Sequence, residues 1–375
     1  MTGGGADDTT NKQEIHFWCD MRRLAIILIL MMGLPCWSLT QVVRYVDPDA
    51  GGGGTGVDWT NAYTSLWAWN TTENKDLVSA DEYHTVHLRA SGGTADTTVT
   101  ILTSTWVTDA TRYLEIIQDD APSDGKWSDT AYRLYCQGSV KCIEVATENL
   151  YIRDMQLRCA PASSFQTSYG IFLTVNSNGN VEIDSCLIRC SGALTLVSEY
   201  GIALWNATNQ AKVYNCTIYS DSANTTTSHG IYVNSASSLA VYNSTVYGFY
   251  SSGIRDAGSV TTATNCVVAT NGDDFANGTT ASYCASDDGD GGNAQDAVSG
   301  DWDNELTDAN NGDFTLVAEG NCIGNGTDNP GSGLYLDDIT GATRTTTWDI
   351  GAFEYGAGGG TDYASLWWWR RRHNN

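Results

Sequence analysis

The sequence predicts an all-β solenoid, a single elongated domain in which short strands stack coil on coil in parallel. Two observations carry that expectation. Two different short motifs recur through the middle of the chain and keep step at spacings of 22–31 residues. The stretches between them show no helical period. Composition agrees: 39 Gly and only 5 Pro among 375 residues, with Ser, Thr and Asn crowding the middle, is how many short strands joined by tight turns read. A hydrophobic content of 41% is enough to fill a sizeable core.

Residues 1–40 are expected to be a leader. Leu24 to Leu34 form an apolar run that follows Arg22 and Arg23 and ends at Pro35-Cys36-Trp37-Ser38. A basic stretch, an apolar core of about 11 residues and small residues beyond it make a secretory signal. The run is too short to cross a bilayer comfortably, although an uncleaved anchor helix is the other reading. Met21 lies just before the arginines and is the expected true start, with cleavage near Ser38 or Thr40. Cys36 lacks the small preceding residues that a lipid-anchoring site needs. The protein is therefore expected to be secreted or held at the cell surface.

Residues 41–125 are expected to hold an N-terminal cap and the first coils, and residues 126–285 the repeats. The first motif is Gly-Ile-x-[Leu/Val], seen at Gly170-Ile171-Phe172-Leu173, Gly201-Ile202-Ala203-Leu204 and Gly230-Ile231-Tyr232-Val233, with a weaker copy at Gly253-Ile254-Arg255-Asp256; its steps are 31, 29 and 23 residues. The second is Asn-[Cys/Ser]-x-[Ile/Val], at Asn215-Cys216, Asn243-Ser244 and Asn265-Cys266, with Ser185-Cys186 and Asp154-Met155 as variants. Each copy reads as a short alternating strand with Ile and Leu inward. The Asn before each Cys marks a tight turn, where Asn tolerates a left-handed backbone. Strands without helices at this period mean coils stacked as parallel strands. Leucine-rich repeats need a signature that is absent, and propeller blades need longer units. Residues 286–355 are expected to be closing coils, and residues 356–375 a Gly-rich linker with a Trp/Arg tail. Trp367-Trp368-Trp369-Arg370-Arg371-Arg372 is either a disordered tail or a tag for peripheral contact with a membrane or envelope.

With these repeats the chain resembles the right-handed parallel β-helix proteins of the pectate-lyase-like superfamily over residues 42–355. Tyr45-Val46-Asp47-Pro48 and Trp59-Thr60-Asn61-Ala62-Tyr63 with Leu66 look like that family's opening strand and capping helix. Asn311-Gly312-Asp313-Phe314-Thr315-Leu316 and Trp348-Asp349-Ile350-Gly351-Ala352-Phe353-Glu354-Tyr355 look like its closure. The resemblance implies the fold, and sugars bound along one sheet and its flanking turns. It does not imply a reaction, because the scaffold carries lyases, hydrolases, adhesins and proteins without known activity.

Eleven cysteines with an export signal invite a disulfide reading. Cys19 and Cys36 fall in the leader. Cys186, Cys216 and Cys266 hold one repeat position, which a stacked inward ladder of thiols explains without any bond. Cys136 with Cys142, and Cys186 with Cys190, are the closest pairs in sequence if bridges form.

Charge narrows the partners. With 44 acidic against 19 basic residues and a net charge of -25, the surface repels phosphate backbones and excludes nucleic acid as a partner. It either is a solvated acidic shell or offers carboxylates to divalent cations. Asp287, Asp288 and Asp290, in an acidic glycine loop, are the candidate ligands for Ca²⁺, although the distal Glu of an EF-hand is missing. No other cofactor is implied. Phe172, Trp205 and Tyr232 fall at outward positions, with Thr174 and Asn234 beside them, and are the candidate sugar-stacking residues.

The catalytic candidates are His229, Arg255 and Asp256. Polygalacturonase-like hydrolases of the superfamily carry Asn-Thr-Asp, Asp-Asp, Gly-His-Gly and Arg-Ile-Lys in that order. Here Ser228-His229-Gly230 and Ile254-Arg255-Asp256 half-match the last two, and Asp273-Asp274 follows them out of order. The carboxylates of acid–base hydrolysis are thus out of place. Asp256 with Arg255 is a thin version of a calcium lyase's site, or else a surface ion pair. Two functions stand: a non-catalytic extracellular or surface module that binds polysaccharide, and, as the alternative, a polysaccharide lyase or glycoside hydrolase.

Overall fold

The computed structural model describes residues 39–138, 140–174, 179–192, 195–205, 210–223, 225–234, 238–258, 260–292, 302–328, 330, 336–345 and 347–356. The signal run and the Trp/Arg tail lie outside them. The chain separates into two compact units, Met1–Thr40 and Gln41–Asn375, and the fold is that of the second.

It opens with β1 (Thr40–Val46), α1 (Leu66–Glu73) and α2 (Leu77–Ala80), then β2 (Glu82–Leu88) and β3 (Thr100–Leu102). From there the chain repeats a three-strand coil. The first is β4 (Leu114–Gln118), β5 (Leu134–Gln137) and β6 (Lys141–Val145). The second is β7 (Leu150–Arg153), β8 (Gln156–Ala160) and β9 (Thr167–Leu173). The third is β10 (Asn180–Asp184), β11 (Leu187–Cys190) and β12 (Ser198–Trp205). The fourth is β13 (Gln210–Tyr214), β14 (Thr217–Ser220) and β15 (Ser228–Asn234). The fifth is β16 (Ser238–Tyr242), β17 (Thr245–Tyr247) and β18 (Ser252–Asp256). The sixth is β19 (Val260–Thr264), β20 (Val267–Ala269) and β21 (Phe275–Ala276). β22 (Thr280–Ser282) and β23 (Ala285–Ser286) end the stack, and β24 (Leu306–Asp308) pairs antiparallel with β25 (Asp313–Leu316).

First strands of the coils join β1, β2 and β22 in a nine-stranded sheet 1, second strands join β23 in a seven-stranded sheet 2, and third strands join β3 in a seven-stranded sheet 3. Neighbours within the coils pair in parallel. Such crossovers are right-handed because a right-twisted strand packs back on its sheet only that way. The chain is a right-handed parallel β-helix.

The repeat motifs do what their chemistry predicts. Ile143, Ile171, Ile202, Ile231 and Ile254 pair in register and are wholly buried, one column of the interior. Each such side chain contributes roughly 1.5–3 kcal/mol by leaving water. Asp154, Ser185, Asn215, Asn243 and Asn265 all adopt left-handed φ, between 45° and 59°. Tyr283 adds a further copy at φ 52°, with Cys284 behind it, which its aromatic side chain hides from the motif. Met155, Cys186, Cys216, Ser244, Cys266 and Cys284 are buried behind these turns. The thiol ladder is present, and the nine described cysteines are free. Cys186 is not beside Cys190: its backbone N–H meets the sulfur of Cys216, while Cys190 faces Cys159.

The N-terminal end is capped, and the C-terminal segment takes a different course. At the N-terminus, Ser65 caps α1 by accepting from the Ala68 N–H, and Leu66, Trp69 and Leu77 are buried at the mouth of the core. Trp69 stacks on Trp106 at 5.4 Å. The C-terminal segment was expected to add closing coils. Its described residues lie instead along the outside of sheet 2, where Leu306, Phe314, Ile339, Ile350 and Phe353 pack on Leu187, Tyr219, Tyr247 and Val267. Trp348 covers Tyr214 at the edge of sheet 1.

Candidate functional site

With sheet 2 covered, the outer face of sheet 3 carries the densest aromatic group. Simple alternation puts the residue before each motif glycine inward. The structure puts the glycine inward as well as the Ile after it. A Cβ built on Gly170 would lie 2.6 Å from the Gly201 carbonyl oxygen and 2.7 Å from Ile188 Cγ2, and on Gly230 2.2 Å from Val246 Cγ1. Only Gly admits so close an approach. Two inward residues in succession turn the preceding one outward.

The result is two outward columns. One runs Lys141, Tyr169, Tyr200, His229, Ser252, and the other Glu144, Phe172, Ala203, Tyr232, Arg255, Ala276. Tyr169 and Tyr200 stack at 4.9 Å and 14° between planes, and His229 follows 5.5 Å from Tyr200 and stacks on Tyr232 at 5.2 Å. Ala203 leaves room between Phe172 and Tyr232. Trp205, two residues on, reaches both rings, at 6.4 Å and 5.6 Å.

Phe172, Trp205 and Tyr232 therefore share one face, as the repeat parity requires. They are not equally open. Phe172 is 7% exposed, covered by the Lys141 ammonium 4.0 Å above its ring and by Tyr169 at 4.7 Å. It supports the face from beneath rather than offering a stacking surface, whereas Trp205 and Tyr232 are half-exposed. Tyr169 and Tyr200 were missed by the sequence reading, and the signal that finds them is the residue before the inward glycine. Burial, then the Tyr169 phenol, push the Tyr200 hydroxyl up to about 12.

The catalytic candidates do not converge. Arg255 projects outward, its guanidinium 5.7 Å from the Tyr232 ring centre. Asp256 takes the inward register of Val233, is buried, and accepts the Gly258 N–H. The sequence pairs them as neighbours, but alternation along β18 sends them to opposite faces. Among the described residues Arg255 forms no ion pair. His229 is 1% exposed, and burial, aided by the Arg255 charge, lowers it to about 4. It is a neutral imidazole at pH 7.

The acidic loop gathers a trio different from the one expected. One carboxylate oxygen from each of Asp273, Asp288 and Asp290 lies within 4.8 Å of the others. Asp287 turns away and accepts from the Thr270 N–H and the Trp302 indole. Asp288 accepts the Asp274 N–H, Asp290 accepts the Phe275 N–H, and the Ser286 hydroxyl bridges both carboxylates. Burial and the neighbouring Asp288 raise Asp290 to about 6, and burial and Asp287 raise Asp274 to about 8. Oxygen ligands of this kind suit a hard cation such as Ca²⁺. The Gly253 N–H donates to the Asp273 carbonyl, so Asp273 continues the column of Tyr169, Tyr200, His229 and Ser252. Sequence order hid this, since Asp273 and Asp288 meet only after a coil has closed.

Between sheets 2 and 3, a pocket of about 300 Å³ is lined by Ser220, Ser222, Ser228, Tyr250, Thr270 and Asn271. Ser228 places it next to the column of His229.

No family model matches the chain, and no curated protein matches it. A structure of pectate lyase Pel9A aligns with 84% of this chain and 97% of its own at 14% identity, with a TM-score of 0.36. The fold assignment stands on the parallel register of this chain's own three sheets.

Proposed function

We propose that this chain is an exported β-helix module that binds polysaccharide along the outer face of sheet 3 without cleaving it. The observation that carries the reading is the aromatic group there: Tyr169, Tyr200 and Tyr232 with Trp205 on successive coils, beside hydroxyl-rich turns. Half-exposed Trp205 and Tyr232 give a sugar chain apolar surface to lie on, the mutually stacked Tyr169 and Tyr200 present their edges and hydroxyls beside it, and the flanking hydroxyls give its own hydroxyls partners. Lys141 and Arg255 lie toward opposite ends of the same face. The separation of Arg255 from Asp256, and a buried neutral His229, supports binding over catalysis.

A cation-dependent lyase is the second reading, and one observation favours it. The Asp273, Asp288 and Asp290 trio lies at the end of the Tyr169 column, one strand beyond Arg255, so a bound cation and a basic side chain would share the face. A glycan array paired with a polysaccharide-degradation screen separates the two. Trp205→Ala should weaken glycan binding at least tenfold, about 1.4 kcal/mol, with the melting temperature nearly unchanged. A large fall in melting temperature with unaltered binding would reject the platform, and chain cleavage would select the lyase.

A further inference from the structure

We propose that Cys159 and Cys190 form a disulfide that staples the second coil to the third from inside the core. They are register partners on β8 and β11, both wholly buried. Their sulfurs lie 3.1 Å apart, inside van der Waals contact. In-register parallel strands about 4.8 Å apart fall within the Cα separations of about 4.4–6.8 Å that a disulfide spans. Cys190 is the last residue of β11, where the backbone is leaving the ladder and can close the remaining gap.

Thiols also lie beside one another at Cys136–Cys142, Cys186–Cys216 and Cys266–Cys284, but each of those six donates to a backbone carbonyl. Cys186 donates to the carbonyls of Ile152 and Asp184, Cys216 to those of Ile183 and Tyr214, and Cys266 to those of Val241 and Thr264. Cys136 and Cys142 donate to the carbonyls of Thr98 and Arg158. Among the described residues, the thiols of Cys159 and Cys190 hydrogen-bond only to each other. A ladder of thiols thus serves packing, and one pair within the core is set for a bond.

The oxidant is a small-molecule disulfide such as oxidised glutathione. One cysteine thiolate attacks a donor sulfur and expels one donor thiolate. The second attacks the mixed disulfide and expels the other. Two protein thiols lose two protons and two electrons in all, and the donor is reduced to two thiols. Burial and the adjacent Cys159 hold the Cys190 thiol well above its ordinary pKa, so the exchange belongs to folding, before the coil closes. Beyond the bond, residues 161–166 lead into β9 and residues 191–197 into β12. The staple therefore fixes the spacing of the two coils that stack Tyr169 on Tyr200. The proposal rests on the exported reading only for its oxidising surroundings.

The test refolds the reduced, full-length chain in a glutathione redox buffer, alkylates free thiols and digests without reductant. Trypsin cuts after Arg158 and Arg189, so the bond would join the peptide Cys159–Arg189 to the peptide Cys190–Lys212. Fragmentation then distinguishes Cys159 from Cys186 in the first. The expected result is that cross-link, lost on reduction, with a fall of several degrees in melting temperature on adding reductant that a Cys159→Ala, Cys190→Ala double variant does not show. Recovery of both cysteines alkylated, or of Cys190 bonded to Cys186, overturns the proposal. A bond formed in the refolded chain but missing from protein isolated from its cells supports the staple and counts against export.

Discussion

His229 illustrates how far a single side chain is governed by its place in the stack. Two rings, Tyr200 and Tyr232, lie against it near the Arg255 charge, and its pKa falls to about 4 against an ordinary 6.5. The folded state then binds fewer protons than the unfolded one. The associated stability is present above pH 6.5 and is lost as pH falls through about 4. At about 1.4 kcal/mol per pKa unit, the loss is roughly 3 kcal/mol. Buried His84, also lowered to about 4, acts in the same sense. His229→Gln should reduce the acid-side loss seen in denaturant titrations between pH 7 and pH 4, and an unchanged slope would disprove the assignment. Asp274 has the opposite sign. Raised to about 8, it is stabilising when protonated, and its contribution is lost as pH rises from about 4 through 8. Asp274→Asn should remove that decline, most plainly between pH 6.5 and pH 8, above the range in which His229 and His84 titrate. Phe172, Trp205 and Tyr232 were legible as one face from parity alone. Tyr169 and Tyr200 were not, because the inward glycines shift the parity at a point where sequence alternation gives no sign of it.

The turns before the core ladder set the rhythm of the elements. Non-glycine residues in left-handed backbone cost about 1–2 kcal/mol, and Asn relieves part of that by local hydrogen bonding. Asn243, at φ 45°, also accepts from Asn265 Nδ2 at 3.1 Å. Asn243→Ala should cost about 1–2 kcal/mol in denaturant unfolding. Ser185→Asn, at a turn with φ 53°, should gain up to about 1 kcal/mol, since Asn suits that backbone better. These turns were readable because their chemistry is local. Half of the repeat's contraction from 29 to 23 residues has one local cause: residues 191–197 and 221–227 join sheet 2 to sheet 3 in the third and fourth coils, but only residues 248–251 do so in the fifth. The acidic trio was only half readable, since Asp273 joins Asp288 and Asp290 across the closing of a coil.

At the scale of the whole molecule, the C-terminal segment acts as a cover for sheet 2. Its scattered apolar residues have no periodicity to betray that role, so the sequence suggested further coils. Arg344 anchors it from a fully buried position, donating to Asn215 Oδ1 and the carbonyls of Gly351 and Ala352 and pairing with Glu354. Asn265 bonds Thr327 through both its side-chain atoms. Removing residues 302–375 would bare Leu187, Tyr219, Tyr247 and Val267 together. The truncated chain should bind a hydrophobic dye and associate in sedimentation, and a monomer with unchanged dye binding would contradict the covering role.

That cover also divides the folding of the chain by distance along it. From the second coil onward, coil-to-coil contacts join residues 18 to 31 apart, as at Cys266–Cys284 and Cys159–Cys190, whereas the cover joins Asn215 to Arg344 across 129 residues and Thr245 to Ala352 across 107. Long-range contacts must wait for the surface they close upon. The solenoid therefore assembles by accretion, neighbour upon neighbour, and its last strands arrive as a lid upon finished work. Refolding should show an early phase in strand signal and a later one in the fluorescence of Trp302 and Trp348, and between them a transient species with the outside of sheet 2 still open to solvent.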